Sequence, residues 1–158
     1  PLIAASFNGD LRLFEFLLTK GADAKVIDNT GKSAIIYAAA RGDSEIVKIL
    51  LDLGTNINAS YGNNLTALMW AAGYSNDVPA IEGEQTVNLL LQRGASVNLQ
   101  DNRGWTALAI AAERGHLGVV KLLLAAHADP KLPSKDGKTP YVLAYRARHH
   151  TVAELLRP

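Results

Sequence analysis

The sequence predicts an all-α solenoid in which short helical hairpins follow one another along the chain and stack. Three observations lead to this prediction. The chain repeats itself with a period near 33 residues, each unit contains two helical patterns, and each helical pattern ends at a turn-forming residue. A single unit cannot cover its own apolar faces, whereas stacked neighbours can, so the units are expected to share one core.

The register of the repeat is set by a Gly-x-Thr step. Its first position is occupied by Gly31, Asn64, Gly104 and Gly137, which are 33, 40 and 33 residues apart. The middle spacing exceeds the period by seven residues, which places an insertion at about residues 76–83. At 158 residues, the chain has the length of a single domain. Five repeats are predicted, the first lacking its opening residues, at about residues 1–27, 28–60, 61–100, 101–133 and 134–158.

Each repeat carries the signals that start and stop two helices. A hydroxyl residue that would cap the first helix is present in four repeats, as Ser33, Thr66, Thr106 and Thr139. Small apolar residues follow at i, i+3 and i+4, as in Leu68, Ala71 and Ala72. Glycine then ends most helices. His127 replaces one such glycine, and a left-handed conformation there would cost about 1 kcal/mol relative to glycine.

Repeat four shows the full pattern of a unit. The stretch GWTALAIAAERGHLGVVKLLLAAHAD starts at Gly104 and contains a Gly-x-Thr step, paired alanines, a Gly-His step and a Val-Val-x-Leu-Leu run. This pattern resembles an ankyrin repeat, and the resemblance extends over the whole chain. It implies β-turn fingers beside stacked helix pairs, and a concave groove that binds another protein. The family's frequent first-helix histidine is replaced by Ile3, Ile36, Met69, Ala109 and Val142.

The side of each first helix that faces away from the core is the predicted binding surface. Trp70 and Tyr74 are four residues apart and opposite the core stripe, so they share one line. The resemblance places this line and the fingers beside the groove, and Trp, Tyr and Arg dominate binding hot spots. Alternatively, Trp70 and Trp105 pack on each other across one repeat step. The candidate partner-binding residues are Lys32, Tyr37, Arg41, Leu65, Trp70, Tyr74, Arg103, Trp105 and Arg114.

The insertion at residues 76–83 is predicted to be an irregular loop between the two helices of repeat three, because it holds a proline, a glycine and several polar residues. It either forms a rim of the groove beside Tyr74 or is a neutral surface insertion. A calcium site formed by Asp77, Glu82 and Glu84 is a third interpretation, although their spacing matches no EF-hand loop.

The chain lacks the motifs of common enzymes. It contains no Gly-x-Ser-x-Gly, no phosphate-binding loop, no His-Glu-x-x-His and no cysteine. His116 and His149 occupy the Gly-His position of the ankyrin pattern and are interpreted as structural. We therefore predict a module that is not an enzyme and uses no cofactor or metal.

The overall charge favours a protein partner over a nucleic acid or a membrane. The 16 Lys and Arg residues nearly balance the 15 Asp and Glu residues. No apolar run reaches the ~18 residues that a membrane helix needs. We expect a soluble monomer, and the sequence does not specify its compartment. The protein is cytoplasmic or, if a signal peptide was removed, periplasmic or secreted. Since the chain starts at Pro1 rather than Met, an alternative is a regulatory or targeting domain of a larger enzyme or multidomain protein.

Overall fold

A computed structural model describes residues 1–158 and confirms the all-α solenoid. Repeats one and two contain α1 (Leu2–Asn8), α2 (Leu11–Thr19), α3 (Ala34–Arg41) and α4 (Ser44–Asp52). Repeat three contains β1 (Ser60–Tyr61), β2 (Leu65–Thr66), α5 (Ala67–Ala72) and α6 (Ala80–Gln92). Repeats four and five contain α7 (Ala107–Arg114), α8 (Leu117–Ala125), α9 (Pro140–Arg146) and α10 (His150–Leu155). None of these helices combines the length and the apolarity needed to cross a bilayer.

The helices form two parallel layers. The first helices of the repeats contact one another in chain order, from α1 through α3, α5 and α7 to α9, and the second helices do the same from α2 to α10. A single cluster of 32 buried residues runs through the stack, so all five helix pairs share one core. Burial depends on having a neighbour on each side. Ile46 in α4 is fully buried, whereas Leu13, at the equivalent position of the first repeat, is 42% exposed.

Three of the four predicted hydroxyl caps are formed. The side chains of Thr66, Thr106 and Thr139 accept hydrogen bonds from the backbone N–H three residues later. The prediction is wrong for Ser33, which has the extended backbone of a capping residue but whose buried hydroxyl has no partner. Serine lacks the methyl group that restricts the threonine side-chain torsion, so its hydroxyl is held less firmly at the helix end.

Each finger is a turn held by main-chain hydrogen bonds, and the backbone is left-handed at the residue that sets the repeat register. All four residues that set the repeat register have positive φ, including Asn64 at 65°. In repeat three the finger is a hairpin that pairs Ser60 with Thr66. Neighbouring fingers are joined, because the Asn102 N–H donates to the Asn63 carbonyl at 3.0 Å and the Lys135 N–H donates to the Arg103 carbonyl at 2.9 Å.

The insertion differs from the predicted loop. Residues 76–79 are irregular, but α6 already begins at Ala80, so the second half of the 76–83 segment is helical and the loop prediction is wrong there. The helix has 13 residues, against nine in both α4 and α8. Pro79 immediately precedes its first residue, and proline favours the start of a helix as well as a loop. The insertion therefore adds a helical turn to repeat three as well as a loop.

Candidate partner-binding groove

Tyr74 does not lie on the groove surface, and its prediction as a partner-binding residue is wrong. Its side chain is 6% exposed and belongs to the core cluster. The ring stacks on His116, with 3.8 Å between the centroids and 5° between the planes. Tyr74 comes shortly after α5, which has only six residues and ends at Ala72. Gly73, which follows the helix, lacks the left-handed backbone seen at Gly42 and Gly115. The chain leaves the helix in a different direction, so the helical spacing no longer predicts where Tyr74 points.

The inward position of Tyr74 leaves a depression on the concave side of the stack, which we name the repeat-three cleft. The cleft has a volume of about 500 Å³. Its lining comes from the first helices of repeats one to four and from the insertion: Phe7, Tyr37, Ala40, Arg41, Trp70, Gly73, Ser75, Asp77, Val78, Pro79, Glu82 and Arg114. Four of the predicted partner-binding residues (Tyr37, Arg41, Trp70 and Arg114) therefore lie around one cavity.

A second recess lies between the fingers of repeats two and three. It has a volume of about 330 Å³ and is lined in part by Lys32, Leu65 and Trp70. The Lys32 ammonium lies 5.6 Å from the Trp70 ring centroid and 5.8 Å from that of Tyr37, within the range of cation–π attraction. Because Trp70 lines both cavities, the finger recess and the repeat-three cleft adjoin at its indole.

Arg103 and Trp105 form a separate pair on the finger of repeat four. The Arg103 guanidinium lies 4.1 Å from the Trp105 ring centroid. Its Nη2 and Nε donate to Oδ2 of the buried Asp101 at 2.7 and 2.9 Å. The Arg103 guanidinium is therefore held in place over the Trp105 ring in the absence of a partner. Each indole of the chain is thus covered by a cation, Trp70 by Lys32 and Trp105 by Arg103.

Phe7 is a groove residue that the sequence reasoning missed. It lines the repeat-three cleft, is 59% exposed, and meets Tyr37 edge-on with 5.6 Å between the ring centroids. It lies three residues after Ala4, which is equivalent to Tyr37 in the repeat. The i, i+3 spacing could have placed it on the groove face.

The insertion forms one side of the repeat-three cleft. Val78, Pro79, Asp77 and Glu82 line the cleft, and Val78 and Glu82 pack over Gly42, where a Cβ atom would lie 2.9 Å from Val78 Cγ1. Glu84 points elsewhere, against Gly118 of α8. The three acidic residues considered for calcium are therefore divided between two places, and no group of three or more His, Cys, Asp or Glu side chains forms a metal-binding cluster.

The finger carboxylates are engaged by residues of their own repeats. Asp28 Oδ2 accepts a hydrogen bond from the Tyr37 hydroxyl at 2.6 Å, while its Oδ1 accepts bonds from Thr30. The Tyr37 bond and the Thr30 bonds hold the pKa of Asp28 well below its usual value, and Asp28 in turn raises the pKa of Tyr37. On the last finger, bonds from Lys138 and Ser134 lower the pKa of Asp136 to about 2.

The histidines at the Gly-His position make structural contacts in the turns between helices. His116 precedes α8, and its Nδ1 lies 3.0 Å from the Ala72 carbonyl. Burial lowers the pKa of His116, an effect that the bond to Ala72 partly opposes. The ring of His149 covers Gly115, where a Cβ atom would lie 2.3 Å from Nδ1. Both rings therefore fill the contact between a repeat and its neighbour.

Stacked helix pairs, turn fingers joined by backbone bonds and a concave groove define a repeat solenoid of the ankyrin type. A family model described as ankyrin repeats, in three copies, matches residues 2–81 and 78–158. These matches cover nearly the whole chain, and the protein belongs to the ankyrin repeat family. Such repeats are generally protein–protein interaction modules and typically have no catalytic activity of their own.

Several curated proteins are similar to the chain. It is 36% identical over 128 residues to ankyrin repeat domain-containing protein 63 of Homo sapiens. The aligned residues cover 80% of this chain and 33% of that protein. It is 34% identical to putative ankyrin repeat protein YahD of Escherichia coli, over 81% of this chain and 63% of YahD. It is 32% identical to tyrosine-protein kinase HTK16 of Hydra vulgaris, over 79% of this chain and 16% of the kinase. The chain thus spans about a third of the human relative's length.

Proposed function

We propose that the chain is a protein-binding module whose concave surface in repeats one to four holds a partner protein. The observation that carries this proposal is the repeat-three cleft, a cavity of about 500 Å³ with three aromatic rings in its lining. Cavities of this size accept bulky side chains, and central aromatic and arginine residues supply most of the binding energy in many interfaces. The proposed contacts are Phe7, Lys32, Tyr37, Arg41, Leu65, Trp70, Arg103, Trp105 and Arg114.

The groove is held in shape before binding. Tyr37 is tied to Asp28, Arg103 is tied to Asp101 on two nitrogens, and Lys32 lies across two aromatic rings. Side chains that are already ordered lose little conformational entropy when a partner docks, which favours affinity.

The proposed role is binding without catalysis, by a monomer, and without nucleic acid or membrane insertion. The near balance of charge supports a protein partner. The carboxylates with the lowest pKa values, Asp28 and Asp136, are bonded to residues of their own repeats. They therefore support the shape of the fingers rather than a reaction.

A pair of substitutions tests the proposal. Trp70→Ala combined with Trp105→Ala should leave the helical circular dichroism spectrum intact and abolish capture of the partner from an extract of the cells in which the protein is made. Phe7→Ala, which removes an exposed ring from the cleft, should weaken the same interaction without affecting the core. The control combines Phe16→Ala with Leu53→Ala, since both residues are exposed on second helices or their ends. Capture that is unchanged by both groove variants would contradict the proposal.

The relatives support a second proposal, in which the module targets or regulates a larger protein. The chain matches 33% of the human relative and 16% of the Hydra kinase, so related repeats occur within much longer chains. The full reading frame decides whether another domain is attached. Where one is, adding the captured partner should change the activity or location of that domain, and a partner that changes neither would count against this role.

A further inference from the structure

The repeat-three cleft has an arginine at each side because one repeat departs from the pattern of its neighbours. Arg41 ends α3 and Arg114 ends α7, both at the same position of the repeat. The equivalent residue of repeat three is the buried Tyr74, and Gly73 before it has no side chain. Two steps of about 8–10 Å between neighbouring helices put the two arginines at most about 20 Å apart along the groove. The space between them is the cleft.

The two arginines retain free hydrogen-bonding capacity. Arg41 Nε lies 3.9 Å from Asp43 Oδ2, and Arg114 Nε lies 3.6 Å from Glu113 Oε2, distances too long for hydrogen bonds. Their side chains are 49% and 56% exposed. Arg103 differs, because its guanidinium is already bonded to Asp101. The cationic donors of the cleft that remain unused therefore belong to Arg41 and Arg114, and guanidinium groups bind carboxylates in a planar, bidentate fashion.

Besides the two arginines, the lining of the cleft contains apolar and acidic side chains. The rings of Phe7, Tyr37 and Trp70 and the side chains of Val78 and Pro79 would contact a bulky apolar group. Asp77 and Glu82 also line the cleft and form no ion pair in the chain. A further carboxylate placed beside Asp77 or Glu82 would be repelled. The lining thus selects against additional acidic residues in an occupant.

We propose that the repeat-three cleft binds an extended peptide segment of the partner that carries two carboxylates on either side of a bulky apolar residue. An extended chain rises about 3.3 Å per residue. A span of about 20 Å, shortened by the inward reach of both guanidinium groups, therefore corresponds to carboxylates about four to six residues apart. This inference rests on the proposed function, because it names the kind of segment that the groove takes.

A phage-displayed library of random 12-residue peptides, selected on the full chain, tests the inference. The enriched peptides should carry Asp or Glu four to six residues apart with Leu, Phe, Trp or Met between them. For a synthetic peptide of that kind, replacing either carboxylate by its amide should weaken binding by about 10-fold or more, since a hydrogen bond to a charged group contributes about 1.5–3 kcal/mol. Fluorescence anisotropy of the labelled peptide gives the Kd.

Arginine variants assign the contacts. Arg41→Gln and Arg114→Gln should each weaken binding of the peptide by about 10-fold. Combining either variant with the matching carboxylate-to-amide change in the peptide should cause little further loss of affinity. Arg12→Gln is the matched control, because it removes the same charge from an exposed position of α2. Enriched peptides that are basic or uncharged would overturn the inference. So would arginine variants with no more effect than Arg12→Gln.

One further variant separates this inference from the proposed function. If Trp70→Ala abolishes peptide binding while both arginine variants bind normally, the groove is the binding site and the carboxylate preference is wrong. If none of the three variants weakens binding, or if the library yields no peptide that depends on Trp70, both proposals fail.

Discussion

The ring of Tyr74 stacks on His116 and also lies against the backbone of Gly83. The stack on His116 has 3.8 Å between centroids, and a Cβ atom at position 83 would lie 2.3 Å from Cδ1 and Cε1 of the tyrosine. The tyrosine thereby ties the added turn of α6 to the turn between α7 and α8 of repeat four. The same contact removes the tyrosine from the concave surface and opens the repeat-three cleft.

Gly83→Ala is predicted to destabilise the protein despite the higher helix propensity of alanine. The propensity gain is about 1 kcal/mol, but the new methyl group would overlap the Tyr74 ring, and overpacking of this kind costs about 1–3 kcal/mol. Urea unfolding should therefore show no gain or a net loss of stability. In a double-mutant cycle, Tyr74→Ala should remove much of the effect of Gly83→Ala. Purely additive free energies would contradict the proposed contact.

The stability of the protein should fall as the pH drops through about 6.5. Burial lowers the pKa of His116 below its ordinary value of 6.5, and Arg114 and His149 contribute in the same direction. The unfolded chain therefore takes up this proton first, and protonation favours unfolding. The loss should begin near pH 7 and level off below the folded-state pKa.

Urea unfolding of the wild type and of His116→Gln between pH 8 and pH 5 checks this expectation. The variant should lose the part of the pH dependence that His116 contributes. His150→Gln, which removes an exposed imidazole from α10, serves as the control. A variant with the same pH profile as the wild type would show that His116 is not responsible.

Tyr37→Phe should raise the pKa of Asp28 towards 3.8. The Tyr37 hydroxyl is the largest cause of the lowered pKa of this carboxylate, and Thr30 supplies the next contribution. A carboxylate whose pKa is lower in the folded state stabilises the fold at any pH above its pKa in the unfolded chain. This stabilisation is lost as the pH falls through the folded-state pKa. The variant should lose less stability on acidification than the wild type.

Carbon-13 NMR titration of the Asp28 carboxyl measures the change directly. Tyr145→Phe removes a hydroxyl from an exposed ring in α9 and should leave the Asp28 titration unaltered. An Asp28 titration curve that is the same in Tyr37→Phe and the wild type would mean that the 2.6 Å bond does not control this carboxylate.

His127→Gly should stabilise the protein by about 1 kcal/mol. His127 follows the end of α8 with φ of 64°, at the position where Gly21, Gly54 and Gly94 stand in the earlier repeats. A side chain in the left-handed region carries a steric cost that glycine avoids. Gly94→Ala is the reciprocal variant, with no atom near its added methyl group, and should lose a similar amount. Equal urea midpoints for wild type and His127→Gly would contradict this.

The repeat period was sufficient to predict the fold because the turns and helices of each repeat depend on local backbone geometry. Positions with positive φ recur at Gly31, Asn64, Gly104 and Gly137, and the positions between them alternate predictably between core and surface. Each of these features depends on residues within one turn or helix. The same regularity predicted that Tyr37, Trp70 and the two arginines face away from the core, and the ankyrin resemblance implied that this face is a concave groove. Tyr37, Arg41, Trp70 and Arg114 line one cavity.

The site was less predictable wherever the repeat is interrupted. Tyr74 was assigned by the spacing of a helix that ends at Ala72, and its direction depends on Gly83 and His116, which are distant in sequence. Residues 80–83 have the composition of a loop because Gly83 is a typical loop residue. In the folded chain this glycine is helical and makes room for the Tyr74 ring. Phe7 was missed because the first repeat was treated as incomplete.

Two phenylalanines that are almost equally exposed allow the most direct test of the concave surface as the binding face. Phe7 is 59% exposed and lines the repeat-three cleft, whereas Phe16 is 55% exposed and lies on α2, in the outer layer of second helices. A photoreactive benzoylphenylalanine can replace either residue in cells that make the protein. The proposed function predicts a cross-link to a specific partner from position 7 and none from position 16. Cross-linking from position 16 alone would contradict it.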